Sequence, residues 1–127
     1  MTIDEFPPLV EHANALARAT GFPLTRQEAA PGGASASLPD RGPFDLLFAD
    51  GGGTRDQMRS GAIVDLVAVG GKLVADDVTP ERALPPDSPL RADDVKRRLF
   101  RTDPRLVSAE VVLPDLQNSL LVGTRIA

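Results

Sequence analysis

Three carboxylates follow two apolar runs in the middle of the chain. The run 44–49, FDLLFA, is followed by Asp50, and the run 73–75, LVA, is followed by Asp76 and Asp77. A near-continuous apolar run is typical of a strand that is covered on both faces of a sheet. If these strands are parallel neighbours, the carboxylates meet at the sheet edge where ligands bind in open α/β folds. Three carboxylates suit Mg²⁺, which prefers oxygen ligands. The alternative is that Asp50 contacts a cofactor or water while Asp76 and Asp77 cap the next loop.

A helix is expected between the two runs. Thr54 and Gln57 have the spacing of a capping box, which predicts that the helix begins there. Apolar residues then recur at helical spacing, at Met58, Ala62 and Leu66. Gly70-Gly71 is predicted to end the helix before the second strand. Residues 43–79 therefore read as one strand–helix–strand unit that positions the three carboxylates.

This unit resembles a known enzyme family. "PFDLLFADGG", a helix, and then "VGGKLVADDV" resemble the second half of the class I S-adenosylmethionine-dependent methyltransferases, in particular the small-molecule O-methyltransferases. The resemblance runs along the whole chain and is most specific at 43–79. It implies an α/β fold: a Rossmann-like, mostly parallel sheet with helices on both faces and a C-terminal antiparallel hairpin. It also implies one methyltransferase-like domain over 1–127.

The resemblance implies an activity and a cofactor site. The expected reaction is methylation of a hydroxyl of a small-molecule acceptor by S-adenosylmethionine. Asp4 or Glu5 matches the residue that accepts hydrogen bonds from the cofactor ribose, because a carboxylate suits a diol. Glu28 and Ala29 match the adenine-side pair, and Asp50 is implied as the catalytic residue and a further cofactor contact. The alternative is that an acidic residue at a strand end caps a helix or is solvated.

The resemblance also implies a metal. In the metal-dependent O-methyltransferases, the positions of Asp50, Asp76 and Asp77 hold a divalent ion that lowers the pKa of the acceptor hydroxyl and orients it. Mg²⁺ is therefore the expected metal. This chain departs from the family pattern at two positions. The family commonly has Asn at the position of Asp77, and it commonly has Lys at the position of Gly53, so a candidate base is missing here.

One part of the family pattern would have to precede Met1. This part is the Gly-rich first strand and turn, which holds the methionine end of the cofactor. In the family's sheet that strand is central, between the strands expected at 1–4 and 44–49. Three arrangements stay open: the chain is truncated, a second chain or another copy completes the sheet, or the two strands pair directly. The last would give a catalytically inert methyltransferase-like domain with an assembly or binding role.

A receiver domain is a lower-ranked alternative. Asp4 and Glu5 at a first strand end, with Asp50 after a later strand, resemble the acidic pocket of response-regulator receivers. That fold requires a Lys at the end of its last parallel strand. Lys72 instead begins a strand, so phosphorylation of Asp50 is the less favoured hypothesis.

The remaining elements are predicted from local signals. A helix is expected after Pro7-Pro8, ending at Gly21. A helix over 90–102, with Leu90, Val95, Leu99 and Phe100 inward, is expected after a Pro-rich loop at 80–90. Asp93 and Asp94 stand four residues before Arg97 and Arg98, which favours surface ion pairs. The other predicted elements are a short strand at 24–29 and an antiparallel hairpin of strands 106–113 and 119–126.

Composition limits the partners. A length of 127 residues fits one domain, and a net charge of −4 gives no basic footprint for nucleic acid. The chain has no cysteine, which excludes disulfides. No apolar run approaches the ~20 residues of a membrane span, and acidic residues stand where a signal peptide would be basic. A cytoplasmic protein is expected.

Overall fold

The computed structural model describes residues 2–4, 7–21, 26–28, 42–50 and 54–127. The chain forms two compact units, Met1–Asp40 and Arg41–Ala127. No helix in the described ranges is long and apolar enough to cross a membrane.

The first unit is a strand–helix–strand arrangement. It contains β1 (Thr2–Asp4), α1 (Pro7–Thr20) and β2 (Arg26–Glu28). β1 and β2 are parallel, with Asp4 opposite Glu28. Gly21 follows α1 with φ of 67°, a left-handed conformation that glycine adopts without a steric penalty. The predicted helix and its glycine stop are confirmed.

The second unit contains a four-stranded sheet. Its elements are β3 (Phe44–Ala49), α2 (Arg55–Ser60), α3 (Ala62–Asp65), β4 (Val67–Val78), α4 (Val95–Thr102), β5 (Leu106–Val112) and β6 (Ser119–Arg125). The strand order is β3-β4-β6-β5. β3 and β4 are parallel, whereas β6 is antiparallel to both β4 and β5. The α/β class, the parallel pairs and the closing antiparallel hairpin are confirmed.

The predicted helix between β3 and β4 is shorter than expected and is divided. Gly61 has φ of 79° and separates α2 from α3. Gly70-Gly71 does not end the helix but lies inside β4, where the pairing with β3 passes from Phe44–Val67 to Leu46–Lys72. β4 therefore bulges at the glycines, because it uses more residues than β3 over the same span.

The predicted capping box is wrong. Thr54 precedes α2 but makes no side-chain cap hydrogen bond. Thr54 Oγ1 and Gln57 Oε1 are both buried without a hydrogen-bond partner among the described residues. The backbone of Thr54, at φ −104° and ψ 4°, does not adopt the extended conformation that an N-cap residue usually has.

Within the second unit, the described helices cover one face of the four-stranded sheet. Its buried face contains Leu73, Ala75 and Leu121, and a Cβ on Gly123 would lie 3.2 Å from the ring of Phe100 in α4. Ile63 and Val64 of α3 complete this core. On the opposite face, Leu46 and Phe48 of β3 are 61% and 53% exposed. The expectation that β3 is buried on both faces is therefore wrong within the described residues, since alternate side chains of the strand point to opposite faces.

Helix α4 begins later than predicted. Asp94 is its N-cap and accepts a hydrogen bond from Arg97 N–H at 3.1 Å. Val95, Leu99 and Phe100 are buried as expected, but Leu90 precedes the helix in a 3₁₀ turn and is exposed. Because α4 begins only at Val95, Asp93 and Asp94 precede its first turn, and the ion pairs are Arg97–Asp94 and Arg98–Asp93 rather than the predicted i,i+4 pairs.

Candidate functional site

The three carboxylates at the ends of β3 and β4 lie together. Ala49 is paired with Ala75 in the parallel ladder, so Asp50 and Asp76 leave the sheet at the same edge. Asp77 joins them, and one carboxylate oxygen from each of Asp50, Asp76 and Asp77 lies within 4.8 Å of the others. Neighbouring strands are about 4.8 Å apart, so side chains at their adjacent ends can approach one another. Metal binding and catalysis by these residues stay predictions.

A bulge in β4 directs the aspartates. The pairing of β4 with β6 passes from Ala75–Leu121 to Val78–Ser119, so Asp76 and Asp77 lie in an irregular stretch. Asp77 has φ of 53°, and its N–H donates to Asp76 Oδ1 at 2.8 Å. Aspartate tolerates the left-handed conformation better than most residues. A β-bulge re-aims side chains, and here it brings two successive aspartates to the same edge.

The electrostatics of this edge favour a cation. None of the three carboxylates forms an ion pair with a lysine or arginine of the described ranges. Three close carboxylates repel one another, and a bound cation would offset that repulsion. Mg²⁺ takes carboxylate oxygens together with water or substrate oxygens, so this donor set fits it. Lys96 of α4 donates a hydrogen bond to the main-chain carbonyl of Asp76.

A buried arginine supports the segment that follows the aspartates. Arg97 donates to Asp94 Oδ2 at 2.6 Å, to Glu110 Oε1 at 2.9 Å and to the Thr79 carbonyl at 2.9 Å. Its hydrogen bond holds the pKa of Glu110 below the ordinary value, while partial burial acts in the opposite direction. Ser119 Oγ lies 2.8 Å from Glu110 Oε1. This network connects the end of β4 to α4, β5 and β6.

Sequence reasoning missed this network. Arg97 was expected to form an ion pair at the surface, yet it is buried. The available signal was Glu110, a charge in a β-strand that otherwise has apolar neighbours, because a charge in such a place needs a partner.

The predicted cofactor residues lie mostly in the first unit. Asp4 and Glu28 end the parallel strands β1 and β2 and are directly opposite each other, so the two backbones reach the same sheet edge. Glu5 and Ala29 lie outside the described residues. Asp50 is exposed at the end of β3.

Solved structures with the same fold align with almost the entire chain. A presumed O-methyltransferase from Klebsiella pneumoniae matches 99% of the chain at 17% identity and a TM-score of 0.70, and 61% of its own length is covered. The Bacillus cereus O-methyltransferase in complex with SAH matches 98% of the chain at 15% identity and a TM-score of 0.64, with 61% of its length covered. The SAH-bound methyltransferase of Podospora anserina matches 98% at 17% identity and a TM-score of 0.60, with 59% covered.

The chain thus spans about three fifths of the length of these structures. No family model and no curated protein matches the sequence. The strand order, the parallel β3–β4 pair and the closing antiparallel hairpin, together with these structural matches, show that the chain has the fold of the class I S-adenosylmethionine-dependent methyltransferases.

Proposed function

We propose that this protein is an S-adenosylmethionine-dependent O-methyltransferase that acts on a small-molecule hydroxyl in the cytoplasm with the help of a divalent metal. The observation that supports this proposal most directly is the convergence of Asp50, Asp76 and Asp77 at the carboxyl ends of the parallel strands β3 and β4. In a methyltransferase fold, this edge is the place for a ligand. The net charge of −4 favours a small acceptor over a nucleic acid.

The proposed metal site uses the chain's own carboxylates. Asp50, Asp76 and Asp77 would hold Mg²⁺, each through an oxygen that is already near the other two. When bound, the metal would lower the pKa of the acceptor hydroxyl. Methyl transfer is an in-line displacement, so the residues contribute mainly by fixing the acceptor relative to the methyl group. The bulge that directs Asp76 and Asp77 serves this positioning.

The proposed cofactor is S-adenosylmethionine. Asp4 or Glu5 would accept hydrogen bonds from its ribose, Glu28 and Ala29 would meet its adenine, and Asp50 would contact it beside the acceptor. The SAH complexes of the Bacillus cereus and Podospora anserina proteins support this choice of cofactor. The adjacent ends of β1 and β2 support the placing of Asp4 and Glu28 in one site.

We also propose that a second chain or another copy of this chain completes the sheet. β3 is the end strand of the order β3-β4-β6-β5, and its Leu46 and Phe48 are exposed. A parallel sheet is normally covered on both faces, and an open strand edge tends to pair with another strand. The same features support the alternative function, an inert methyltransferase-like domain with a role in assembly.

Cofactor binding distinguishes the two functions. We expect isothermal titration of the full chain with SAH to show saturable binding that weakens when Asp4 and Glu5 are changed together to Asn and Gln. Asp56→Asn, at an exposed position in α2, is the matched control and should bind as the wild type does. If the wild-type chain releases no heat at a high SAH concentration, the enzyme proposal is wrong and the assembly role is favoured.

A further inference from the structure

Lys96 occupies an electrostatically unfavourable position in α4. The helix begins after its N-cap Asp94, so Lys96 is the second residue of the first turn. The N-terminus of a helix carries the positive end of the dipole, which disfavours a cation there. The ammonium group nevertheless points to the main-chain carbonyl of Asp76 and donates a hydrogen bond to it.

That carbonyl lies where the sheet does not hold the backbone. The ladder between β4 and β6 has no register partners between Ala75–Leu121 and Val78–Ser119. The Asp76 carbonyl belongs to the peptide that joins Asp76 to Asp77, and Asp77 has the unusual φ of 53°. The orientation of this peptide determines where both carboxylates point. The bond from Lys96 therefore takes the place of a missing ladder interaction.

We infer that Lys96 is a positioning residue that fixes the Asp76–Asp77 peptide and thereby holds these two carboxylates beside Asp50. The inference rests on the proposed metal-assisted function, and it assigns a role to a residue outside the carboxylate set. Lys96 forms no ion pair with the three carboxylates in the described structure, so it leaves them available to a metal ion.

The charge and the hydrogen bond of Lys96 have opposite effects on a bound cation. The positive charge alone would repel a metal ion, so its removal would strengthen metal binding. The hydrogen bond organises the ligands, so its removal would weaken metal binding. The sign of the change in metal affinity therefore reports which effect dominates. If Lys96 acts as a positioning residue, its replacement weakens metal binding.

The test is a titration of the full chain with Mn²⁺, followed by electron paramagnetic resonance of the free ion. We expect Lys96→Met to weaken Mn²⁺ binding by about tenfold, as loss of outer-shell partners does at other metal sites. Lys96→Arg keeps a donor and should recover part of the affinity. Lys72→Met is the charge-matched control, because Lys72 donates to Thr124 Oγ1 at 2.8 Å and not to the aspartates. Equal or tighter Mn²⁺ binding by Lys96→Met overturns the inference.

A second measurement separates this inference from the metal proposal. If the wild type binds no Mn²⁺, metal assistance is wrong, but the positioning of the peptide is still measurable by amide hydrogen exchange. The Asp77 N–H donates to Asp76 Oδ1, so its exchange reports the local arrangement. We expect faster exchange at Asp77 in Lys96→Met and unchanged exchange at Val74 in the centre of β4. Unchanged exchange at Asp77 would overturn the positioning role.

Discussion

Replacement of Arg97 by methionine should strongly destabilise the second unit. The Arg97 side chain is 4% exposed, and its carboxylate partners Asp94 and Glu110 are 14% and 22% exposed. Methionine fills much of the same volume but makes none of the hydrogen bonds. Removal of one partner from a buried ion pair costs about 3–5 kcal/mol, because the remaining charge stays buried without compensation. The Thr79 carbonyl also loses its donor.

Urea denaturation provides the measurement. Arg101→Met in the same helix is the control, because Arg101 and its partner Glu81 are 58% and 55% exposed. An exposed ion pair contributes about 0–1 kcal/mol, so the control should lower the free energy of unfolding only slightly. For a domain of this size, each 1 kcal/mol corresponds to about 4–8 °C in Tm.

A double-mutant cycle tests the assignment of the energy to the buried pair. Arg97→Met in a Glu110→Gln background should cost about 0.5–3 kcal/mol less than in the wild type, because no carboxylate is then stranded at that position. If Arg97→Met and Arg101→Met have the same effect, or if the cycle shows no coupling, burial of the network does not determine its energy.

Two further predictions concern the dependence of stability on acid and a glycine of β4. Hydrogen bonds from Arg97 and Arg105 hold the pKa of Glu110 and Asp103 below the ordinary values of 4.5 and 3.8. Their stabilisation is present above these ordinary values and is lost as pH falls through the lowered folded pKa, so the urea midpoint should be flat from about pH 7 to 5 and then fall. Glu110→Gln should reduce this fall, and an unchanged acid profile would contradict the assignment. Gly71→Ala should cost about 1–3 kcal/mol, because its Cβ would lie 2.8 Å and 3.0 Å from the main-chain oxygens of Ala68 and Asp45. Gly123→Ala, whose Cβ would meet only side chains, should cost less in thermal denaturation; equal costs would refute the steric argument.

The boundaries between elements show where sequence patterns reach their limit. The pattern at 54–71 predicted one helix ended by Gly70-Gly71, whereas the structure has two short helices and a long bulged strand. A glycine pair can end a helix or occupy a bulge, because both require conformations that other residues avoid. Which of these occurs depends on the pairing of β4 with β3 and β6. Local sequence does not contain that information.

The burial of side chains in β3 and α4 also depends on tertiary structure. The apolar run in β3 predicted coverage on both faces, but the helices of the second unit leave Leu46 and Phe48 exposed. The charges in α4 predicted surface ion pairs, but Arg97 is buried and donates to Glu110 of the next strand, β5. A run of residues shows what a segment can pack against, and the neighbouring elements determine what it does pack against.

The sequence by itself determined the class of fold and the meeting of the three carboxylates. A helical connection between two apolar strands favours parallel pairing, and parallel strands expose their carboxyl ends at one edge. Tertiary structure decided how those carboxylates are held. The bulge at Asp76-Asp77, the hydrogen bond from Lys96 and the buried Arg97 arise from strand register and helix packing. These depend on contacts between different elements, so local patterns alone did not identify the partners.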